Sequence, residues 1–274
     1  MVKELFAAGL FEGRVAIVTG GGTGIGLAVA RELRRLGARV AICGRRPEPL
    51  AAAVEALGGG PEVLAAACDI RDPDSIGGFV QDVLEHFDRV GVLVNNARGP
   101  FPPPAQHLSP KGFEAGVGNN LLGTYNFTHK VANMAMIPQK SGRIVNVIAQ
   151  IARGFPGMSH TGAARAGVAN LTMSLAVEWA QFGIRVNAVA PGVIRTSGLD
   201  QYPPQLLVDA VNAIPLRRLG AAEEVSHLVT YLASPHADFI TGQILYIDGG
   251  ASIWSDQWPI PADVPQSPPY PTDE

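Results

Sequence analysis

The chain has 274 residues, of which 47% are hydrophobic and only 7% aromatic, and a formal net charge of −3. Open α/β sheets reach this length around one core, so a single domain is expected, and an aliphatic, glycine-rich composition suits parallel strands buried on both faces. The slightly acidic balance and the lack of any basic run exclude a broad positive field for phosphate backbones, so nucleic acid is not an expected partner.

No apolar run approaches the ~20 residues that span a bilayer, so no membrane partner is expected. The opening MVKELFAAGLFEGRVA runs into a strand without a cleavage-like site, and the closing TDE lacks the SKL-type peroxisomal address. A cytoplasmic, reducing compartment is the expectation. Cys43 and Cys68 form no CxxC or Cys/His spacing and read as buried free thiols. The six histidines include no HxxxH pair, and no metal site is expected.

Along the chain, short aliphatic runs alternate with helix-patterned stretches. The strand candidates are Val15–Thr19, Ala38–Cys43, Glu62–Ile70, Gly91–Ala97, Gly142–Ile148, Ile184–Gly192 and Gly242–Gly250. Between them, Ile25–Leu36, Asp74–Phe87, Ala163–Phe182 and Glu223–Ala233 space apolar residues three and four apart, the helix period. The alternation predicts a Rossmann-type doubly wound α/β fold on a seven-stranded parallel sheet. Two stretches break the pattern. Ile194–Ile214 is polar and proline-bearing and leaves the end of the sixth strand, where such sheets bind ligands; it reads as a lid, with a surface excursion as the plain alternative. Residues 251–274 read as a proline-rich C-terminal arm outside the domain at 1–250.

Directly after the first strand stands TGGGTGIG, Thr19–Gly26, followed by a helical pattern. Glycine there allows a tight turn and close backbone approach to a pyrophosphate, which the helix N-terminus stabilises. Gly20, Thr23, Gly24, Ile25 and Gly26 are the expected contacts. An NAD enzyme places an acid after the second strand to accept from the ribose 2′-hydroxyl, but here the sequence reads Cys43-Gly44-Arg45-Arg46. Two guanidiniums and no acid favour a 2′-phosphate, hence NADP(H); the alternative is a solvated arginine pair. Asp69, followed by Ile70, is placed to accept from the adenine amino group, and Asn95-Asn96-Ala97 should line the floor of the cofactor site.

With these motifs, and with Asn120-Leu121-Leu122-Gly123-Thr124, GRIVNVI, AGVANLTMSLAVEWA, IRVNAVAPG and ITGQILYIDGG, the chain resembles the short-chain dehydrogenase/reductase superfamily from about Gly13 to Gly250. The resemblance implies NAD(P)H-dependent chemistry, commonly in a homotetramer, with Ser, Tyr and Lys at the catalytic core and an assisting Asn. Asn120 matches the assisting residue. The serine's position is Ala149, and YxxxK reads Thr161-Gly162-Ala163-Ala164-Arg165, so Thr stands for Tyr and Arg for Lys. Pro191, Gly192, Ile194 and Thr196 match the segment that holds the nicotinamide carboxamide.

These replacements restrict the chemistry. Ketone reduction makes an alkoxide that needs an acid on oxygen, and an aliphatic hydroxyl is a far weaker acid than a phenol with a pKa of about 10. Reduction of an α,β-unsaturated thioester instead puts charge on the thioester oxygen as an enolate, which hydrogen-bond donors can hold while carbon is protonated by water or a side chain. Thr161 and Asn120 are the candidate donors. Arg165 would keep the lysine's charge against the nicotinamide ribose without joining a proton relay, because its pKa exceeds about 12.

The segments LFAAGLFEGRVAIVTGGGTGIG, NNARGPFPPPAQHLSPKGF and HTGAARAGVANLTMSLAVEWA are similar to the peroxisomal trans-2-enoyl-CoA reductases and their bacterial relatives, and the second also to the 2,4-dienoyl-CoA reductases. That branch carries an arginine at the lysine position and a small hydroxyl residue at the tyrosine position. A tyrosine assigned to its active site falls at Ala169 here, and the dienoyl reductases' own tyrosine has no counterpart between Ile148 and Arg165. His160 reads as a solvated, helix-opening residue with proton donation as the alternative. Arg98 reads as a surface charge, or as a contact for a CoA phosphate or the cofactor, and Tyr125 as packing. The expected function is NADPH-dependent reduction of an enoyl-CoA or dienoyl-CoA. A carbonyl reductase with rebuilt acid chemistry and a non-catalytic NADPH-binding subunit stay open beside it. The apolar helix at Ala163–Phe182 is the candidate face for a symmetric homo-oligomer.

Overall fold

The computed structural model describes residues 5–97, 104–200, 203–254 and Tyr270. The predicted aliphatic runs form strands: β1 Val15–Thr19 at its expected bounds, β2 Arg39–Gly44 shifted by one residue, and, trimmed at one or both ends, β3 Val63–Ala67, β4 Val92–Asn95, β5 Gly142–Val147 and β6 Ile184–Pro191. The first four are separated by helices α1 (Gly24–Arg35), α2 (Pro47–Ala56) and α3 (Pro73–Phe87). Between β4 and β5 a longer rod runs through α4 (Pro110–Val117), a π-helical turn (Gly118–Leu122), α5 (Gly123–Val131), a second π-helical turn (Ala132–Met136) and the short α6 (Ile137–Gln139). After β5 come α7 (Ser159–Glu178), β6, β7 (Ile194–Arg195), α8 (Pro204–Asn212), β8 (Gly220–Ala221), α9 (Ala222–Ala233) and β9 (Ile244–Ile247).

The main sheet has seven parallel strands in the order β3-β2-β1-β4-β5-β6-β9. It reverses direction of winding between β1 and β4, and at such a switch point the two outgoing loops diverge and leave a crevice at the carboxyl edge. Strands β1 and β4 to β6 are buried along almost their whole length, which is why they read as continuous apolar runs. One face of the sheet packs on Val29, Leu33, Val225 and Val229 of α1 and α9, the other on Phe79, Val83, Phe127 and Leu175 of α3, α5 and α7. Among the described residues no helix is long and apolar enough to cross a membrane.

A polar seam crosses this core. Asn95 and Asn146 are register partners on β4 and β5. Asn95 Nδ2 donates to Asn146 Oδ1 and to Thr128 Oγ1, both at 2.8 Å, and Asn146 Nδ2 donates to Thr172 Oγ1 at 2.9 Å. All four residues are buried, so two strands and the helices α5 and α7 are tied by bonds that water does not compete for.

Three sequence expectations are corrected here. Asn95 does not line the cofactor floor; it is committed to this seam, because the pleat turns it to the helical face. Tyr125 is not core packing: it is 42% exposed, with its ring 5.6 Å from that of His129 one turn on. The excursion after β6, read as a break in the strand–helix alternation, holds the helix α8, and β7 pairs with β8 to close its base. Arg98 and nearly all of the C-terminal arm lie outside the described residues.

Candidate active site

The turn from β1 to α1 brings the backbone where side chains cannot follow. Gly20 has φ +65°, and a Cβ there would meet Asn96 Nδ2 at 3.0 Å and the Ala97 backbone at 3.1 Å. A Cβ on Gly26 would lie 2.2 Å from the Gly20 carbonyl oxygen, so the helix starts in direct backbone contact with the turn. Asn96 locks this arrangement from the switch-point neighbour: its Nδ2 donates to the carbonyls of Thr19 and Gly20, at 3.1 and 3.2 Å. Thr19 Oγ1 accepts from the backbone N–H of both Asn96 and Ala97 at 3.0 Å. Helix α1 opens without a side-chain cap and with no acid in its first turn, so its N–H groups and dipole face an anion unopposed.

From this turn a cleft runs across the carboxyl edges of β2 and β3, lined by Gly20 and Thr23, Arg45 and Arg46, and Asp69 and Ile70, with Ala97, beside Gly20, and Asn119 completing the lining. Seven of the residues expected from sequence to hold the cofactor therefore share one cavity. Arg45 and Arg46 are exposed within it. Asp69 is engaged by a residue the sequence reading passed over: Arg71 Nε donates to both carboxylate oxygens, at 2.9 and 3.0 Å, and Arg71 Nη2 also donates to Oδ2. Hydrogen bonding from Arg71 holds the Asp69 carboxyl down to about 2. Ile70 packs on Gly123, where a Cβ would come within 2.8 Å of its Cδ1, so the cleft wall is fixed to the start of α5. The thiols Cys43 and Cys68, both free and buried, form part of the lining.

The remaining cofactor candidates divide. Gly192 directly follows β6, donating its N–H to Ile247 O at 3.0 Å, and sits so close to Asp248 that a Cβ would meet its Cα at 2.9 Å. Pro191 O accepts from the Gln150 N–H at 2.9 Å, tying the β5 and β6 exits together. Thr196 rests against the glycine turn, its Cγ2 3.3 Å from where a Gly24 Cβ would stand. Ile25 and Ile194 turn their side chains into the core, which leaves their backbones for any ligand. A cradle closed to Cβ atoms, an open helix N-terminus and two exposed guanidiniums fit a dinucleotide.

Beyond Asn119 lie the residues at the altered catalytic positions. Asn120 is buried in the π-helical turn; its Nδ2 donates to Gly116 O at 2.9 Å, while its Oδ1 has no hydrogen-bond partner among the described residues. A π turn widens the helix by one residue and is common where a side chain must be aimed. Thr161 and Arg165 stand one turn apart on α7, on the same face. Arg165 is buried, and its Nη1 donates to Val147 O, at the exit of β5, at 2.9 Å. Thr161 is half-buried, and its Oγ1 lies 2.9 Å from His160 Nε2. Helix α7 meets the π turn closely, since a Cβ on Gly167 would lie 2.9 Å from Leu121 Cδ2. The expectation of a solvated His160 is overturned: α7 begins four residues before the apolar pattern does, and the ring is fully buried against Gly116.

A family model described as "Enoyl-(Acyl carrier protein) reductase" matches residues 20–252. The chain belongs to the short-chain dehydrogenase/reductase family. Membership in this oxidoreductase family implies a nicotinamide cofactor. The peroxisomal 2,4-dienoyl-CoA reductase of Pongo abelii is 39% identical over 255 residues, 91% of this chain and 87% of that protein. The 3-oxoacyl-acyl-carrier-protein reductase of Thermotoga maritima is 36% identical over 88% of this chain and 99% of its own. Among solved structures, the citronellol catabolism dehydrogenase of Pseudomonas aeruginosa superposes with a TM-score of 0.81 at 41% identity, covering 91% of this chain and 99% of that one.

Proposed function

We propose that this member of the family is an NADPH-dependent reductase of the C=C bond of an enoyl-CoA or 2,4-dienoyl-CoA. The observation that carries the reading is the pair Thr161 and Arg165 at the end of β5: a hydroxyl and a fixed cation, with threonine standing where the family's phenol would protonate an alkoxide. Similarity to a dienoyl-CoA reductase over nine-tenths of the chain supports the same chemistry.

Gly20, Gly24 and the first turn of α1 would hold the pyrophosphate, and Arg45 and Arg46 the 2′-phosphate that distinguishes NADPH. Asp69 keeps acceptor capacity for an adenine amino group beside its bonds to Arg71. Pro191, Gly192 and Thr196 would border the nicotinamide, and Arg165 its ribose. Reduced nicotinamide, when bound, supplies hydride. The protein's own task is then the charge that appears on the thioester oxygen, which Thr161 would meet with its hydroxyl hydrogen; Asn120, read from sequence as a second donor, is buried with its Nδ2 donating to Gly116 O, and would instead hold the helix geometry around the site. The excursion 194–214 is proposed as the lid. Its base is pinned by β7 and β8, Thr196 touches the glycine turn, and α8 buries no side chain fully, leaving it free to move as a unit. Helix α7 is apolar on more than one face and exposes Met173 and Val177, which supports an interface in a homotetramer. A cytoplasmic location fits these roles.

The test is NADPH oxidation with trans-2-enoyl-CoAs and 2,4-dienoyl-CoAs of short, medium and long chain, with 3-ketoacyl-CoAs as controls. Thr161→Ala is expected to lower kcat about 100-fold, as loss of one oxyanion donor does. Arg165→Ala is expected to weaken NADPH binding and turnover together. Turnover of the ketoacyl substrates alone would refute ene reduction, and tight NADPH binding with silence on every acceptor would point to a non-catalytic subunit.

A further inference from the structure

We infer that His160 is a positioning residue: its Nε2–H donates to Thr161 Oγ1, which turns the threonine's own hydrogen outward toward a substrate oxygen. The inference rests on the reading of Thr161 as the oxyanion donor.

Four observations carry it. The imidazole is fully buried at the start of α7, where a histidine ordinarily reaches solvent. Its slot exists because residue 116 is glycine: a Cβ there would stand 2.0 Å from His160 Cδ2 and 2.9 Å from Cγ. The same Gly116 accepts the Asn120 side-chain bond, so Asn120, Gly116, His160 and Thr161 form one packed unit. Finally, Nε2 lies 2.9 Å from Thr161 Oγ1, while Nδ1 is buried and has no hydrogen-bond partner among the described residues.

The unpartnered nitrogen fixes the direction of the bond. If Nδ1 carried the proton, a buried N–H would go unpaired, and Thr161 would have to give its hydrogen to Nε2. With the proton on Nε2, only a lone pair goes unpaired, and orphaned buried N–H groups are the rarer of the two. An imidazolium would orphan the same Nδ1–H, and burial also holds the His160 pKa below the ordinary 6.5, so the ring is neutral. A hydroxyl is acceptor and donor at once. Accepting from Nε2–H leaves Thr161 with one hydrogen and polarises it, and that hydrogen is the atom a developing enolate needs. In the opposite tautomer Thr161 would present only lone pairs to negative charge. His160 therefore sets whether Thr161 donates or repels, without touching substrate itself.

Two measurements on the full chain test this. The first needs no turnover. In protein labelled with 15N-histidine, a long-range 1H–15N correlation reports which ring nitrogen is protonated, and the signal is assigned by its loss in His160→Phe or His160→Gln. Protonation of Nε2 is expected, and protonation of Nδ1 overturns the inference. The second is kinetic. His160→Phe, which has no donor, is expected to lower kcat for an enoyl-CoA about 10- to 100-fold, approaching the loss of the Thr161 hydroxyl itself. KM and the Kd for NADPH should stay within about twofold, because the interaction strengthens only in the transition state. His160→Gln, which keeps an N–H at similar reach, should recover most of the rate, and in a Thr161→Ala background His160→Phe should cost nothing further. Equal damage from Gln and Phe, or effects of His160→Phe and Thr161→Ala that multiply, would make His160 mere packing. A wild-type protein inactive on every enoyl-CoA would sink the functional reading instead, and the tautomer measurement would still decide the direction of the bond.

Discussion

Replacing Asn146 with alanine removes the middle member of the polar seam between β4 and β5. Asn146 accepts from Asn95 and donates to Thr172, and all three are buried. After the change, one N–H of Asn95 keeps Thr128 as acceptor and the other has none. Thr172 loses less, since its hydroxyl still donates to Val168 O at 2.8 Å. A buried donor left unpaired costs about 1–3 kcal/mol, and the second lost bond about 1 kcal/mol, so Asn146→Ala should destabilise by about 2–4 kcal/mol. Thr172→Val, which orphans only the Asn146 N–H, should cost about 1–3 kcal/mol. The decisive comparison is the double variant Asn95→Ala/Asn146→Ala. It removes the orphan along with its partner and should fall short of the summed single effects by about 1–3 kcal/mol. Urea unfolding at one fixed protein concentration reads these differences through the midpoint at constant slope. Single effects that add to within about 0.5 kcal/mol would show that the seam is not a coupled unit and would refute the reasoning.

Two further outcomes follow from the described geometry. Arg45→Ala/Arg46→Ala should weaken NADPH binding about 10- to 100-fold and leave NADH binding nearly unchanged, since only the former carries the 2′-phosphate; equal losses for both, by fluorescence titration, would remove the arginines from cofactor selection. Glu224 gives a pH dependence: Arg218 bonds to both its oxygens, at 2.7 and 2.8 Å, and holds its carboxyl below the ordinary 4.5. A carboxyl depressed in the folded state adds stability that is present above its unfolded value and lost as pH falls through the folded one. The wild type should therefore lose more stability than Glu224→Gln between about pH 5 and pH 3, while the glutamine still accepts from the Ala221 N–H; parallel thermal-melting curves would contradict this.

The strands were legible because parallel β-structure is buried on both faces, so burial leaves an unbroken aliphatic trace such as VAIVT or GRIVNVI. Their trimmed ends were not legible. Cys68, Ile70 and Ala97 are as apolar or small as strand residues, yet they leave the ladder to line the cleft. Turn and cofactor glycines were readable because backbone approach requires a specific residue type. His160 was misread because its burial is decided by a glycine 44 positions earlier, on another helix, and no local pattern encodes that contact. Arg71 was passed over for the opposite reason: its bond to Asp69 is local, but DIRD is equally compatible with two solvated charges. Helix α8 hid in a proline-bearing segment because its apolar residues, Leu206 and Val208 among them, are half exposed and mark no core face.

The rod from Pro110 to Gln139 contains two wide turns, at Gly118–Leu122 and Ala132–Met136. Each acts as a one-residue slip in an otherwise regular spiral, and deleting a residue from either would restore an ordinary helix and rotate everything beyond it by about 100°. A deletion in the first would swing Phe127 and Thr128 off the sheet, and one in the second would swing Met136 away from Gly142. Chain length in this stretch is thus held fixed by angular phase, and relatives that share this sheet are expected to tolerate changes of residue there far more readily than changes of count.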